Sequence, residues 1–218
     1  DLCAAPGGKS TQIAARMHEM YKSGKWKEPG MLICNEIHPA RAKILSENVE
    51  RMGIANAMVT NETPQRLAEM FEDYFTRILV DAPCSGEGMF RKNEAACEEW
   101  SPENVSLCAE RQDGILDCAA SMLAPGGRIV YSTCTFAPAE NEGSMMRFLL
   151  RHPEFRIVEV KKADGMSAGV PEWAYFGEKM GQVLPEIAQT IRLWPQHLNG
   201  EGHYLAVLEK EGTLRQGY

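Results

Sequence analysis

Several things are missing from this sequence of 218 residues, and each absence excludes a class of protein. No apolar run approaches the roughly 20 residues that cross a bilayer, and no signal-peptide pattern opens the chain. No internal repeat or low-complexity tract is present, which excludes solenoids and compositionally biased segments. The seven cysteines are an odd number and none stands in a CxxC spacing. That argues against a disulfide framework and a zinc cluster, and predicts reduced thiols in a cytoplasmic protein that binds no metal. A basic surplus is also lacking. The net charge of −7 counts against a nucleic-acid partner unless basic side chains cluster locally or other segments supply the attraction.

What is present is an ordinary globular composition, 44% hydrophobic and 24% charged, with strand-like and helix-like segments in alternation. Residues 31–34, 57–60, 77–81, 128–133 and 155–160 read as buried strands. Residues 11–21 read as a helix with Ile13, Met17 and Tyr21 on one face. Residues 39–52 read as another, with Leu45, Val49 and Met52 aligned and Gly53 as its C-cap. Ser101-Pro102 starts a helix that runs to about Leu123. Residues 161–181 read as a long loop, and 191–209 as a closing hairpin-like pair. Repeated βαβ units predict an α/β fold, a mostly parallel sheet with helices on both faces, and ligands at the C-terminal ends of its strands.

Three places carry chemistry. The segment Asp1-Leu2-Cys3-Ala4-Ala5-Pro6-Gly7-Gly8-Lys9-Ser10 joins a strand end to a helix start. Its small residues let a ligand approach the backbone, and the helix N-terminus favours a negative group. It is not a P-loop, because Cys3 stands where that motif needs a glycine, nor is it a GxGxxG turn. Glu36 follows the next strand, where a carboxylate can accept from ribose hydroxyls, although a solvated glutamate is the plainer reading there. Finally, Asp81 and Cys84 lie just beyond one apolar strand and Cys134 just beyond another, so both thiols are expected on one rim of the sheet. Cys97, Cys108 and Cys118 fall in or near helical segments and read as buried structural thiols.

In that order, the loop Cys3–Lys9, the block Asp81-Ala82-Pro83-Cys84-Ser85-Gly86 and Thr133-Cys134-Thr135 resemble the RNA cytosine-C5 methyltransferases of the Nol1/Nop2/Sun family. The run from Asp81 to Lys92, with Trp100-Ser101-Pro102-Glu103 and Gly200-Glu201-Gly202-His203, is similar to the bacterial branch acting on small-subunit ribosomal RNA. The resemblance implies a Rossmann-like class I fold dependent on S-adenosylmethionine. It implies one catalytic domain over residues 1–218, with a core at 1–160 and a loop and closing strands at 161–218. It makes Cys134 the nucleophile that adds to C6 of cytosine, Cys84 the residue that assists product release, and Asp81 the partner of the base. Cofactor binding falls to Cys3, Ala4, Ala5, Pro6, Gly7, Gly8 and Lys9, with Glu36 on the ribose and Arg41, Asn61 and Asp81 in support. The expected partner is ribosomal RNA, with no DNA and no membrane; Arg91 and Lys92 are candidates for phosphate contact. A transfer-RNA methyltransferase and a catalytically silent ribosome-assembly factor are the alternatives. The opening at Asp1, without Met or a full strand, leads to the expectation of a further strand and RNA-binding segments outside this sequence.

Overall fold

The structure is a computed structural model, and it describes residues 1–92, 94–175 and 184–214. The chain divides into two compact units, Asp1–Met70 and Phe71–Tyr218.

The first unit begins with residues 1–5 running beside β1 (Leu32–Asn35), joined by bonds from Asn35 N to Asp1 O and from Ala4 N to Asn35 O, both 2.8 Å. A turn at Gly7 then starts α1 (Gly8–Lys22), three residues earlier than the sequence predicts. After β1 come α2 (Pro39–Arg51), β2 (Ala57–Thr60) and α3 (Pro64–Met70). Strands β1 and β2 pair in parallel, Leu32 opposite Ala57. Their core gathers Ala4, Ala5, Ala14, Leu32, Cys34, Leu45 and Val49, with Ile13 and Met17 packed against it. The outer ends of the two expected helix faces stay open instead: Tyr21 is 40% and Met52 is 56% exposed. Gly53, in a left-handed conformation (φ 65°), ends α2 as expected.

The second unit contains β3 (Phe75–Asp81), α4 (Glu94–Glu99), α5 (Pro102–Met122), β4 (Leu123–Thr133), α6 (Glu142–Arg151) and β5 (Phe155–Ile157). It closes with β6 (Met166–Ala168), β7 (Ile191–Leu193) and β8 (His203–Lys210). Ser101 caps α5 as expected, its side chain accepting from Asn104 N at 3.0 Å. Strands β3 and β4 are parallel, but β8 is antiparallel to β4, β5 and β7, and β6 is antiparallel to β7. The sheet is therefore mixed: the parallel pairing belongs to the βαβ segments, and the closing strands pair antiparallel, β7 and β8 through a short connection of the kind antiparallel neighbours allow. Residues 161–175 are less loop-like than expected, since they include β6 and a 3-10 turn at Pro171–Tyr175. The rest of that expected loop, 176–181, lies outside the described residues.

Val80, Leu116, Ile129, Tyr131, Phe148 and Leu208 are fully buried and form the heart of this unit. An ion pair is buried with them. The Arg192 guanidinium pairs with Glu142, Nε to Oε1 at 2.7 Å, and lies 4.9 Å from the ring centre of Trp173 and 5.2 Å from that of Trp194. Glu142 also accepts from Val170 N, and Arg192 donates to Phe136 O, so neither ion is left without compensation in the core. Among the described residues, no helix is long and apolar enough to cross a membrane.

Candidate active site

In the first unit the candidate site is made mostly of main chain. Gly7 adopts φ 111°, and a Cβ there would lie 3.0 Å from Leu45 Cδ1, so this turn requires glycine for both conformation and space. No side chain caps α1 at Gly7, which leaves first-turn N–H groups available to an anionic ligand. Helix α2 braces the loop: Arg41 Nη2 donates to Ala5 O at 2.9 Å and Asn48 Nδ2 to Pro6 O at 2.7 Å.

Glu36 is only 3% exposed, so the plain reading of a solvated glutamate is wrong. Its Oε1 accepts from His38 N at 3.0 Å, and its Oε2 is 3.5 Å from Arg41 Nη2. Asn61 Nδ2 donates to Glu36 O at 2.6 Å and to Ile37 O at 3.0 Å, which fixes the segment carrying the carboxylate. Arg41 and Asn61 thus brace the groups expected around the cofactor. Cys3 and Lys9 sit on the same loop and first helical turn, half-buried. Asp1 was not singled out in the sequence, yet its Oδ1 is buried with no hydrogen-bond partner among the described residues, while Oδ2 accepts from Ser10 Oγ at 2.7 Å.

In the second unit, parallel pairing of β3 with β4 brings the two strand exits together. Cys84 Sγ and Cys134 Sγ are 3.2 Å apart, far beyond the ~2.05 Å of a disulfide. None of the seven cysteines is in a disulfide. Cys134 N donates to Cys84 Sγ at 3.3 Å. The hydrogen bond to the Cys134 sulfur, and then burial, push the Cys84 thiol well above the ordinary thiol range. Two thiolates at this distance would repel strongly, which favours a shared proton, and either sulfur can be the donor. Asp81 ends β3, and its Oδ1 accepts from Ser132 Oγ at 2.6 Å.

The loop after Cys84 locks onto the loop at Cys134. Gly88 N donates to Cys134 O at 2.8 Å, and a Cβ at Gly88 would collide with Gly202 O. Glu87 Oε2 accepts from Phe136 N at 2.9 Å, and Glu87 Oε1 from Trp100 Nε1 at 2.9 Å. The expected phosphate contacts, Arg91 and Lys92, are exposed, and Lys92 forms an ion pair with Glu201 at 2.6 Å. Of the three thiols expected to be buried, Cys108 is buried and Cys118 half-buried, but Cys97 is exposed, because its helix α4 is short and lies largely open.

A parallel βαβ core with a glycine turn before α1, a buried carboxylate after β1 and paired thiols after β3 and β4 defines a Rossmann-like class I methyltransferase. The sequence profile of the family described as 16S rRNA methyltransferase RsmB/F matches residues 1–209, and the chain belongs to that family. The ribosomal RNA small subunit methyltransferase F of Aeromonas salmonicida is 34% identical over 98% of this chain and 40% of its own length. The protein of the same name from Aeromonas hydrophila is 35% identical, again over 98% of this chain and 40% of its own length. The chain thus spans about 40% of the curated relatives it matches. Among solved structures, a methyltransferase homologue from Pyrococcus horikoshii superposes with a TM-score of 0.77 at 26% identity, covering 96% of this chain and 60% of the other. NSun6 from Pyrococcus horikoshii, crystallised with SFG, gives a TM-score of 0.71 at 25% identity, covering 98% and 47%. S-adenosylmethionine is the methyl donor of this class. The first unit fits it: Asp1 offers a buried acceptor without a partner among the described residues, Glu36 a buried carboxylate, and the start of α1 a set of N–H donors that no side chain caps.

Proposed function

We propose that this chain methylates C5 of a cytosine in RNA, the small-subunit ribosomal RNA being the substrate, through a covalent bond between Cys134 and C6. The observation that carries this reading is the pair of sulfurs 3.2 Å apart at the exits of two parallel strands, with Asp81 ending one of them. The names of the relatives support the ribosomal substrate. Residues 1–218 then act as one catalytic domain, with the core at 1–160 and the closing strands after it. With a net charge of −7, much of the attraction for RNA comes from outside this sequence. The protein works in the cytoplasm, where ribosomal RNA and reduced thiols coexist.

When bound, S-adenosylmethionine supplies an electrophilic methyl group on its sulfonium. The residues 3–9 hold its methionine part, with Lys9 and the first turn of α1 toward the carboxylate and Asp1 toward the ammonium; Glu36 holds the ribose. Cytosine C5 is too electron-poor to attack unaided, so the Cys134 thiolate adds to C6 and makes C5 enamine-like. Asp81 hydrogen-bonds N3 and N4 and stabilises the charge that develops there. After methylation, water takes the C5 proton and its bonding electrons re-form the C5=C6 bond. The C6–S bond breaks with its pair returning to Cys134, and the Cys84 thiol stabilises the departing thiolate. The base is reached in a loop or flipped from its stack.

RNA containing 5-fluorocytosine tests the assignment, because fluorine at C5 blocks the final elimination. The native chain and Cys84→Ala should both form a denaturant-resistant complex in the presence of S-adenosylmethionine, and Cys134→Ala should form none. A complex retained by Cys134→Ala would overturn it. Bisulfite sequencing of ribosomal and transfer RNA from cells lacking the protein identifies the substrate: loss of one mark in ribosomal RNA is expected.

A further inference from the structure

The peptide groups on either side of Cys84 are held by two buried side chains to which the reaction gives no role. Glu140 and Gln112 are both 0% exposed. Glu140 Oε2 accepts from Ser85 N at 3.0 Å and from Gln112 Nε2 at 2.8 Å. The same Gln112 amide donates to Pro83 O at 3.0 Å. The residue before Cys84 and the residue after it are thus tied to one carboxylate–carboxamide pair. That pair is itself fixed: Ser144 Oγ donates to Gln112 Oε1, and Tyr131 Oη donates to Glu140 O at 2.8 Å. A bridge from Ser85 Oγ to Thr135 Oγ1 at 2.9 Å carries the restraint to the neighbour of Cys134.

Geometry alone does not require a charge at residue 140. A glutamine could accept from Ser85 N, and burying a carboxylate without a cation is costly. The charge has one evident use. A negative group beside Cys84 disfavours a second negative charge on that sulfur and directs ionisation to Cys134. We propose that Glu140 is a positioning residue: through Ser85 and Gln112 it seats Cys84 as the protonated member of the sulfur pair and leaves Cys134 as the one that ionises and attacks.

The surroundings agree. Burial pushes the Glu140 carboxyl up, and its bonds to Ser85 and Gln112 pull it back down. The Cys84 thiol is raised first by its hydrogen bond to Cys134 and then by burial, with Glu140 adding in the same direction. Among the described residues, other ionisable groups that act on Cys84 or Glu140 include Glu87, Tyr131 on β4 and Cys108 on α5, beside Arg111. None of these favours a thiolate on Cys84: Glu87 is acidic, and burial pushes Tyr131 and Cys108 up.

The inference rests on Cys134 being the nucleophile, so its test has one readout that needs no RNA. The full chain is treated with iodoacetamide across pH 6 to 9, and labelling at each cysteine is followed by peptide mass spectrometry. Native protein should label Cys134 ahead of Cys84. Glu140→Gln, which removes the charge and keeps an acceptor, should raise Cys84 labelling relative to Cys134 about tenfold, the equivalent of one pKa unit. With ordinary cytosine RNA, the same variant should accumulate the covalent complex as release slows ~10- to 100-fold, the scale expected from misplacing a reacting group. Glu140→Asp keeps the charge but shortens its reach, so it should keep the native labelling order and still slow release. A native labelling ratio and native release in Glu140→Gln overturn the proposal. So does loss of adduct formation and release together, in proportion to lost thermal stability. If Glu140→Gln does not fold, native release in Glu140→Asp overturns it instead. If even native protein forms no complex with 5-fluorocytosine RNA, the nucleophile reading falls, and the labelling ratio alone decides the seating of Cys84.

Discussion

The two units build their candidate sites by opposite means. In Asp1–Met70 the site is mostly main chain, with side chains pared away at Ala4, Ala5, Gly7 and Gly8: α2 holds the carbonyls of Ala5 and Pro6 from behind, and the N–H groups at the uncapped start of α1 are left for a ligand. In Phe71–Tyr218 the site is a mesh of side chains, Ser85, Glu87, Gln112, Thr135 and Glu140, drawn tight around two sulfurs. The first site is damaged by adding atoms and the second by changing a hydrogen bond or a charge. Substitutions in one should leave the other's readout untouched.

The largest effect is expected where the second site imitates the first and has no room for a side chain. Gly88→Ala forces a methyl against Gly202 O and within 2.7 Å of Cys134 O. Turnover should fall about a hundredfold or more, while S-adenosylmethionine affinity by calorimetry stays native. If cofactor affinity falls in step, the division of labour between the units fails. Gly7→Ala is the reverse case: strain at φ 111° and crowding on Leu45 should weaken cofactor binding about ten- to a hundredfold. Iodoacetamide labelling of Cys134 should be unaffected. A smaller loss, about tenfold in cofactor affinity, is expected for Glu36→Gln, which keeps the shape but loses the charge-assisted acceptance of two hydroxyls.

The smallest effect concerns pH. Cys84, Cys108 and Cys118 all have raised thiols, chiefly through burial except for Cys84, where the bond to Cys134 leads. An unfolded thiol ionises near pH 8.5, whereas these hold their protons to higher pH when folded. The folded state therefore binds more protons above that pH, and stability, complete below it, declines as pH rises. The slope is at most about 1.4 kcal/mol per pH unit per group. Denaturant unfolding at pH 8 and pH 10 measures it, and Cys84→Ala should flatten the decline. An unchanged slope would mean that the sulfur pair does not share its proton as described.

Much of this was legible in the sequence because it depends on local pattern. The glycine turn, the apolar strands and the strand-exit cysteines are written in neighbouring residues, and parallel pairing of β3 with β4 was enough to unite Cys84 with Cys134. Glu140 and Gln112 were not legible. A glutamate in a loop and a glutamine in a helix look like solvated residues until the fold brings them together across 28 positions. Glu87 stood inside a recognised block, but its bond to Phe136 N depends on tertiary contact. The strand β6 escaped because three residues carry no period. The exposure of Cys97 escaped because helical position does not reveal which face is covered.

The buried Arg192 also determines what the molecule shows to light. Of four tryptophans, Trp173 and Trp194 press on that guanidinium and Trp100 is bonded to Glu87, which leaves Trp26 as the one indole of the first unit. Intrinsic fluorescence is therefore weighted three to one toward the unit that carries the sulfurs. During denaturation it reports the loosening of the closing strands around Arg192, whereas far-ultraviolet circular dichroism sees the helices of both units. Coincident curves from the two signals would show the chain melting as one body, and separated curves would show which unit yields first.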